Sequence, residues 1–256
     1  MTRSFQIVDT HCHLEEPEFD ADLEEVIQQA VRLGVHMITS AISEDTWERA
    51  LGISRSYGSV SVALGLDPAL YYQVNSAQDI INANQEQLIA LGEVGLDHYR
   101  ERDHKKRENQ EKSFRLMIAL AKEIGLPLQV HSRSAGRRCL ETLTNMEAEK
   151  VQMHAFDGKA SLARVASAEY GYYFSIPTSV VRSAQKRKLV KAIDIERILV
   201  ETDSPVLGPD RESRNEPSNV WVALREVASI LKREEDEMRE ILLENTLRLY
   251  PGIRTK

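Results

Sequence analysis

Short apolar runs rich in β-branched residues recur along the chain, and each is followed by a longer charged stretch whose apolar positions fall at helical spacing. Eight such runs stand out: FQIVDT, VHMITSAI, SVSVALGL, LIALGEVGL, PLQVHS, KVQMHAF, GYYFSI and RILVET. They are expected to be strands. Between them DADLEEVIQQAVRLG, SEDTWERALGISRSYG and KSFRLMIALAKEIG read as helices, with Gly34, Gly58 and Gly125 as C-terminal stops and Asp20 or Asp22 as a cap for the first. HYRERDHKKRENQ, the densest basic stretch, reads as a solvated loop, and LKREEDEMREILLENTLRLY as a helix pair or one broken helix with its charges toward water.

Near-continuous apolar strands that alternate with amphipathic helices indicate a parallel sheet covered on both faces and joined by right-handed crossovers. Eight units in 256 residues suit an α/β fold, a closed (β/α)8 TIM barrel, with residues 1–256 as a single domain. The rival is an open doubly wound sheet. Its mark would be a Gly-rich turn after the first strand, whereas this strand leads into THCHL, and no phosphate-binding loop of the Walker type follows elsewhere.

Composition narrows the partners. Asp plus Glu outnumber Lys plus Arg by 40 to 33, so a net charge of −7 argues against a strong duplex-binding surface. No apolar run reaches the length of a membrane span, and MTRSFQIVD lacks the pattern of a secretory signal. Two distant cysteines, Cys12 and Cys139, make no disulfide framework, so a cytoplasmic location is expected. The oligomeric state is not fixed by any of this.

The chemistry gathers where the strands end, because the C-terminal rim of such a barrel builds its active site. The first strand ends in His11 and His13, the fourth in Glu93, the fifth in His131, the sixth in His154 and the eighth in Asp203. In an extended chain His11 and His13 share a face while Cys12 points to the other, so Cys12 is expected to pack rather than react. A strand-end histidine is by itself more often a packing residue. Carboxylates converging with imidazoles in a barrel mouth, however, need a cation or a proton to be tolerated. His36 and His104 read as structural or solvated, and His98 is left open.

In their order, VDTHCHL, GLDP, GEVGLD, LPLQVHSRSA, MHAFDG, FSIP, LVETDSP and RNEP resemble the TatD family of metal-dependent deoxyribonucleases, from Val8 to Asn245. The resemblance implies one or two divalent ions, with His11 and His13 on the first, Glu93 bridging, His131 and His154 completing the second, and Asp203 holding the first and handling a proton. Zn, Mn, Fe or Co suits this imidazole-rich set better than Ca, and Mg prefers more oxygen ligands, so the choice among Zn, Mn, Mg, Co and Fe stays open. The implied reaction is hydrolysis of DNA ends or small phosphoesters by metal-activated water, with Asp203 and Glu93 as catalytic residues. The family pattern Gly-x-His-Pro is here GLDP, so Asp67 stands where a phosphate-facing histidine is expected; it either touches substrate or cation or caps the next turn. Arg133 and Arg182 are the principal candidate phosphate contacts, with Arg137, Lys186, Arg211 and Arg214 on the same rim. Asn215 in RNEP is expected to have a structural role beneath the site. The rival functions are an amidohydrolase-type enzyme acting on an amide, lactone or other ester, and a noncatalytic protein that retains a metal.

Overall fold

The computed structural model describes residues 5–253. Eight parallel strands run in sequence order around a nearly closed barrel: β1 Ile7–Cys12, β2 Val35–Ala41, β3 Val60–Leu64, β4 Leu88–Gly95, β5 Leu128–His131, β6 Val151–Met153, β7 Tyr173–Pro177 and β8 Ile198–Glu201. Each coincides with one of the eight apolar runs, trimmed or shifted by a few residues. The helices between and after them are α1 Leu23–Arg32, α2 Glu44–Ser56, α3 Val74–Asn84, α4 His104–Ile124, α5 Gly136–Asn145, α6 Ala160–Glu169, α7 Ala184–Val190, α8 Val220–Leu231 and α9 Glu235–Leu249. The TIM-barrel expectation therefore holds. Among the described residues no helix is long and apolar enough to cross a membrane.

Strand pleat divides the apolar residues into two cores. One face packs outward on the helices: Ile7, Met37 and Val62 belong to the same large cluster as Val26, Ile27 and Ala30 of α1. The other face, with Val8, Ile38, Ala63, Ala90 and Leu199, clusters with Leu249, Tyr250 and Ile253, so the chain leaving α9 plugs the end where the strands begin. Burying a side chain of this kind contributes about 1.5–3 kcal/mol. Above the plug lies a polar layer in which Tyr250 donates its hydroxyl proton to Gln152, and Gln129 donates to the Thr10 carbonyl at 2.9 Å. The seam between β8 and β1 is tied just past the strands: Asp203 N donates to His11 O at 2.9 Å and His13 N to Ser204 O at 2.8 Å. That tie sets Asp203 beside both histidines.

Three local expectations are corrected. The stretch HYRERDHKKRENQ is a loop only up to Asp103, whose side chain caps α4 by accepting from Lys106 N at 2.9 Å; the rest is helix. Gly34 and Gly125 are left-handed helix stops with φ of 70° and 75°, but α2 ends at Tyr57 in extended backbone, and Gly58 has no such role. LKREEDEMREILLENTLRLY holds the last residue of α8 and then one helix, α9. Asp22 does occupy the N-cap position of α1, yet its carboxylate takes the Arg214 guanidinium as a fork, at 2.8 and 2.6 Å, instead of a helix amide.

Candidate metal centre

The six strand-end residues meet at one point in the barrel mouth. His11 Nε2 and His13 Nε2 lie 3.2 Å apart, with Glu93 Oε2 at 3.2 Å from the first and 3.7 Å from the second. Asp203 Oδ1 is 3.3 Å from His13 Nε2 and 3.8 Å from His11 Nε2, and His154 Nε2 is 3.7 Å from the same oxygen. The other oxygen of Glu93, Oε1, is in close contact with His131 Nδ1. Three donor triads result: His11, His13 and Glu93; His11, His154 and Asp203; Glu93, His131 and His154. Every member is buried except His131, which is partly exposed.

The geometry fits a divalent cation for a reason that goes beyond proximity. Each ring has a fixed partner on the nitrogen turned away from the focus. His11 Nδ1–H donates to Gln129 Oε1 at 3.1 Å, His13 Nδ1–H to the Ser40 carbonyl at 2.9 Å, and His154 Nδ1–H to Glu201 Oε2 at 2.9 Å. These bonds turn Nε2 of each ring inward, where it offers a lone pair once any proton on it is displaced. His131 is turned the other way, with Nε2 3.3 Å from Asp97 Oδ2 and Nδ1 toward Glu93. The inward nitrogens of His11 and His13 are only 3.2 Å apart and have room for one proton between them; against burial, Asp203 and Glu15 push His13 well up, so that proton sits on His13, where a cation can replace it.

Electrostatics point the same way. Burial alone would raise the Glu93 carboxyl, but the charges of His131 and His154 and hydrogen bonds from His11 and His131 hold it well below the usual range. Asp203 is likewise pulled down against burial by His154, His13 and His11. Both are anions. Burial works against protonation of His131 and His154, yet Glu93 and Asp97 push the first up to about 10, and Glu201, Asp203 and Glu93 push the second up to about 9. Protons thus balance the carboxylates where a cation can take their place.

The cavity above this cluster is about 590 Å³. Arg133 lines it with its guanidinium over the Tyr99 ring at 4.1 Å. Asp67 lines it too: one oxygen caps the following turn, accepting from Ala69 N at 2.7 Å, and the other accepts from Arg100 at 2.9 Å. Arg182 does not line it and donates to the Gly208 carbonyl at 3.1 Å. Arg214 is spent on Asp22 and Glu216. Cys12 faces the packed side, its thiol 3.3 Å from Ile38 O, and Asn215 is buried beneath the rim, donating to the Thr202 and Val206 carbonyls at 2.8 Å each.

Sequence reasoning missed the groups that hold the rings: Glu15, Gln129, Glu201, Asp97 and, on the rim, Arg100. Glu15 lies 3.3 Å from His13 Nδ1. The signal was thin: Asp97, Gln129 and Glu201 sit inside the quoted motifs without standing out there, Glu15 falls just past VDTHCHL, and Gln129 is 118 residues from His11.

The model of the family described as TatD related DNase matches residues 8–251. The putative deoxyribonuclease TATDN3 of Mus musculus is 40% identical, the match covering 97% of this chain and 90% of that protein. The deoxyribonuclease TATDN3 of Homo sapiens is 38% identical, over 97% of this chain and 96% of its own. Among solved structures, YjjV, a TatD homolog from Escherichia coli K12, superposes with a TM-score of 0.86 at 25% identity, covering 96% of this chain and 98% of that one.

Proposed function

The chain belongs to the TatD family of DNases, and on that premise we propose that it hydrolyses phosphoester bonds at DNA ends or in small phosphoesters, using one or two divalent ions. The observation that carries the reading is the division of one carboxylate: Glu93 turns Oε2 to His11 and His13 and Oε1 to His131. A side chain that faces two donor groups with its two oxygens suits two adjacent cations. His11, His13 and Asp203 would complete the first set, and His131 and His154 the second. Nitrogen-rich donors favour Zn, Mn, Fe or Co over Ca.

A divalent ion, when bound, supplies Lewis acidity and brings the pKa of coordinated water toward neutrality. The rest falls to the protein's own groups. Asp203 turns Oδ1 to the imidazoles, which leaves Oδ2 as the atom that takes the proton of the attacking water and returns it to the leaving oxygen. Gln129, the Ser40 carbonyl and Glu201 keep the rings of His11, His13 and His154 from rotating. Arg133 offers a fork to a phosphoryl oxygen. Asp67 reaches substrate through Arg100, which it fixes at the mouth.

The test joins metal analysis to a nuclease assay. Protein purified without chelator is expected to hold about one or two transition-metal ions per chain, and to cleave single-stranded DNA with free 3′ ends until the metal is stripped. Cleavage by a metal-free preparation would defeat the proposal, and turnover of small amides in place of DNA would favour the amidohydrolase reading.

A further inference from the structure

Lys186 belongs to none of the motif residues placed on the metals, yet it lines the cavity above them. It sits in the first turn of α7, a helix whose N-terminus is capped by Ser183. Its ammonium reaches across to the loop after β6, where it donates to the carbonyls of Ala155 and Phe156, the latter at 2.9 Å. An ammonium has three protons. Two are spent on these carbonyls, and the third is left for the cavity.

Charge makes that third proton count. Among the described residues, neither Lys186 nor Arg133 has a carboxylate within ion-pair distance, whereas Arg100 is matched to Asp67 and Asp97. Lys186 and Arg133 are thus the two cations on the cavity wall whose charge is not already balanced by a paired carboxylate. They come from elements on either side of β6, Arg133 after β5 and Lys186 after β7. An anion lying over His154 would be flanked by both.

We propose that the Lys186 ammonium is an anion ligand of this site, holding a nonbridging phosphoryl oxygen of the substrate, with Arg133 as its counterpart across the β6 loop. The inference rests on the phosphoester reading of the metal centre and names the residue that replaces the donor absent at Asp67. A purely structural lysine, one that only props the Ala155 turn, is the competing account.

Inorganic phosphate is the probe, titrated calorimetrically into the holoenzyme, into Lys186→Met and into Lys186→Arg, with the metal content of each measured. Loss of a charge-assisted hydrogen bond predicts that K186M binds phosphate roughly tenfold or more weakly, with metal content unchanged, and that K186R recovers much of the binding. Phosphate binding that is absent from the holoenzyme, or equal in K186M, overturns the proposal. So does weakened binding that merely tracks lost metal, which would make Lys186 a prop for His154. Hydrolysis of single-stranded DNA is scored separately: an inactive wild type whose phosphate affinity still depends on Lys186 refutes the nuclease reading and leaves the anion site standing.

Discussion

His154 Nδ1 lies 2.9 Å from Oε2 of Glu201, and the second oxygen of that carboxylate accepts from the Ala155 amide, also at 2.9 Å. Glu201 is fully buried at the end of β8, so its whole charge is aimed at one imidazole and one peptide. A neutral amide there would present either an oxygen or an NH2 group to the ring. In the second case the ring must carry its proton on Nε2, the atom that faces Asp203. Glu201→Gln is therefore expected to weaken metal binding by roughly 10–100-fold. Competition with a chelator of known affinity measures it, and an unchanged constant would mean that Glu201 does not orient the ring.

Asp203→Asn separates binding from proton transfer. The amide keeps the size of the side chain and one oxygen toward His13, and five other donors remain, so much of the metal should stay. Turnover should fall by about 10²–10⁴, the usual worth of a positioned acid or base. Metal analysis and kcat on the same preparation decide it. Full activity would move the proton-handling role to another group.

The barrel was legible because each strand is buried on both faces, which leaves an uninterrupted apolar run, and the rim donors were legible because strand ends are marked by those runs. Helix limits were less so. The charged face of α4 from His104 to Glu111 carries few apolar residues, and what makes it helical is the Asp103 cap and the packing of the later turns. The supports of the rings could not be read at all from spacing. Gln129 looks like any polar residue in LPLQVHS until the closed barrel brings it against His11, and Glu201 needs the pairing of β7 with β8 and the loop after β6 to meet His154. The fork between Arg214 and Asp22 joins residues 192 apart, which is why both were read for other roles.

Gly95 tests the steric basis of the GEVGLD motif. Its φ is +149°, and a Cβ built there would lie 2.1 Å from the His131 carbonyl oxygen. Main chain, not a flexible side chain, would have to move, and His131 with it. Gly95→Ala should cost about 3 kcal/mol or more by combined overpacking and backbone strain, read as a lower urea midpoint. Gly58→Ala is the control: no atom lies within 4 Å of the added carbon, and stability should change by less than about 1 kcal/mol. Equal effects at the two sites would refute the steric account.

His36, read from sequence as structural, gives a pH signature separate from the metal site. It lies near the start of β2, buried, its ring 5.1 Å from that of Phe5 and its Nε2 2.9 Å from the Ser61 hydroxyl. Burial pushes its pKa down from 6.5 to about 4. Between those two values the unfolded chain binds the proton and the folded one does not, so stability rises with pH across this window and is fully present above 6.5. Acidification from 6.5 to 4 should therefore remove ~3 kcal/mol through this group alone. Carboxylates also titrate there, so the useful quantity is the difference between wild type and His36→Gln, whose amide can keep the contact with Ser61 without titrating. Urea unfolding at a series of pH values should show wild type losing ~3 kcal/mol relative to His36→Gln as the pH falls from 6.5 to 4. Curves that stay parallel would mean that the folded barrel accepts a charged His36 at no cost.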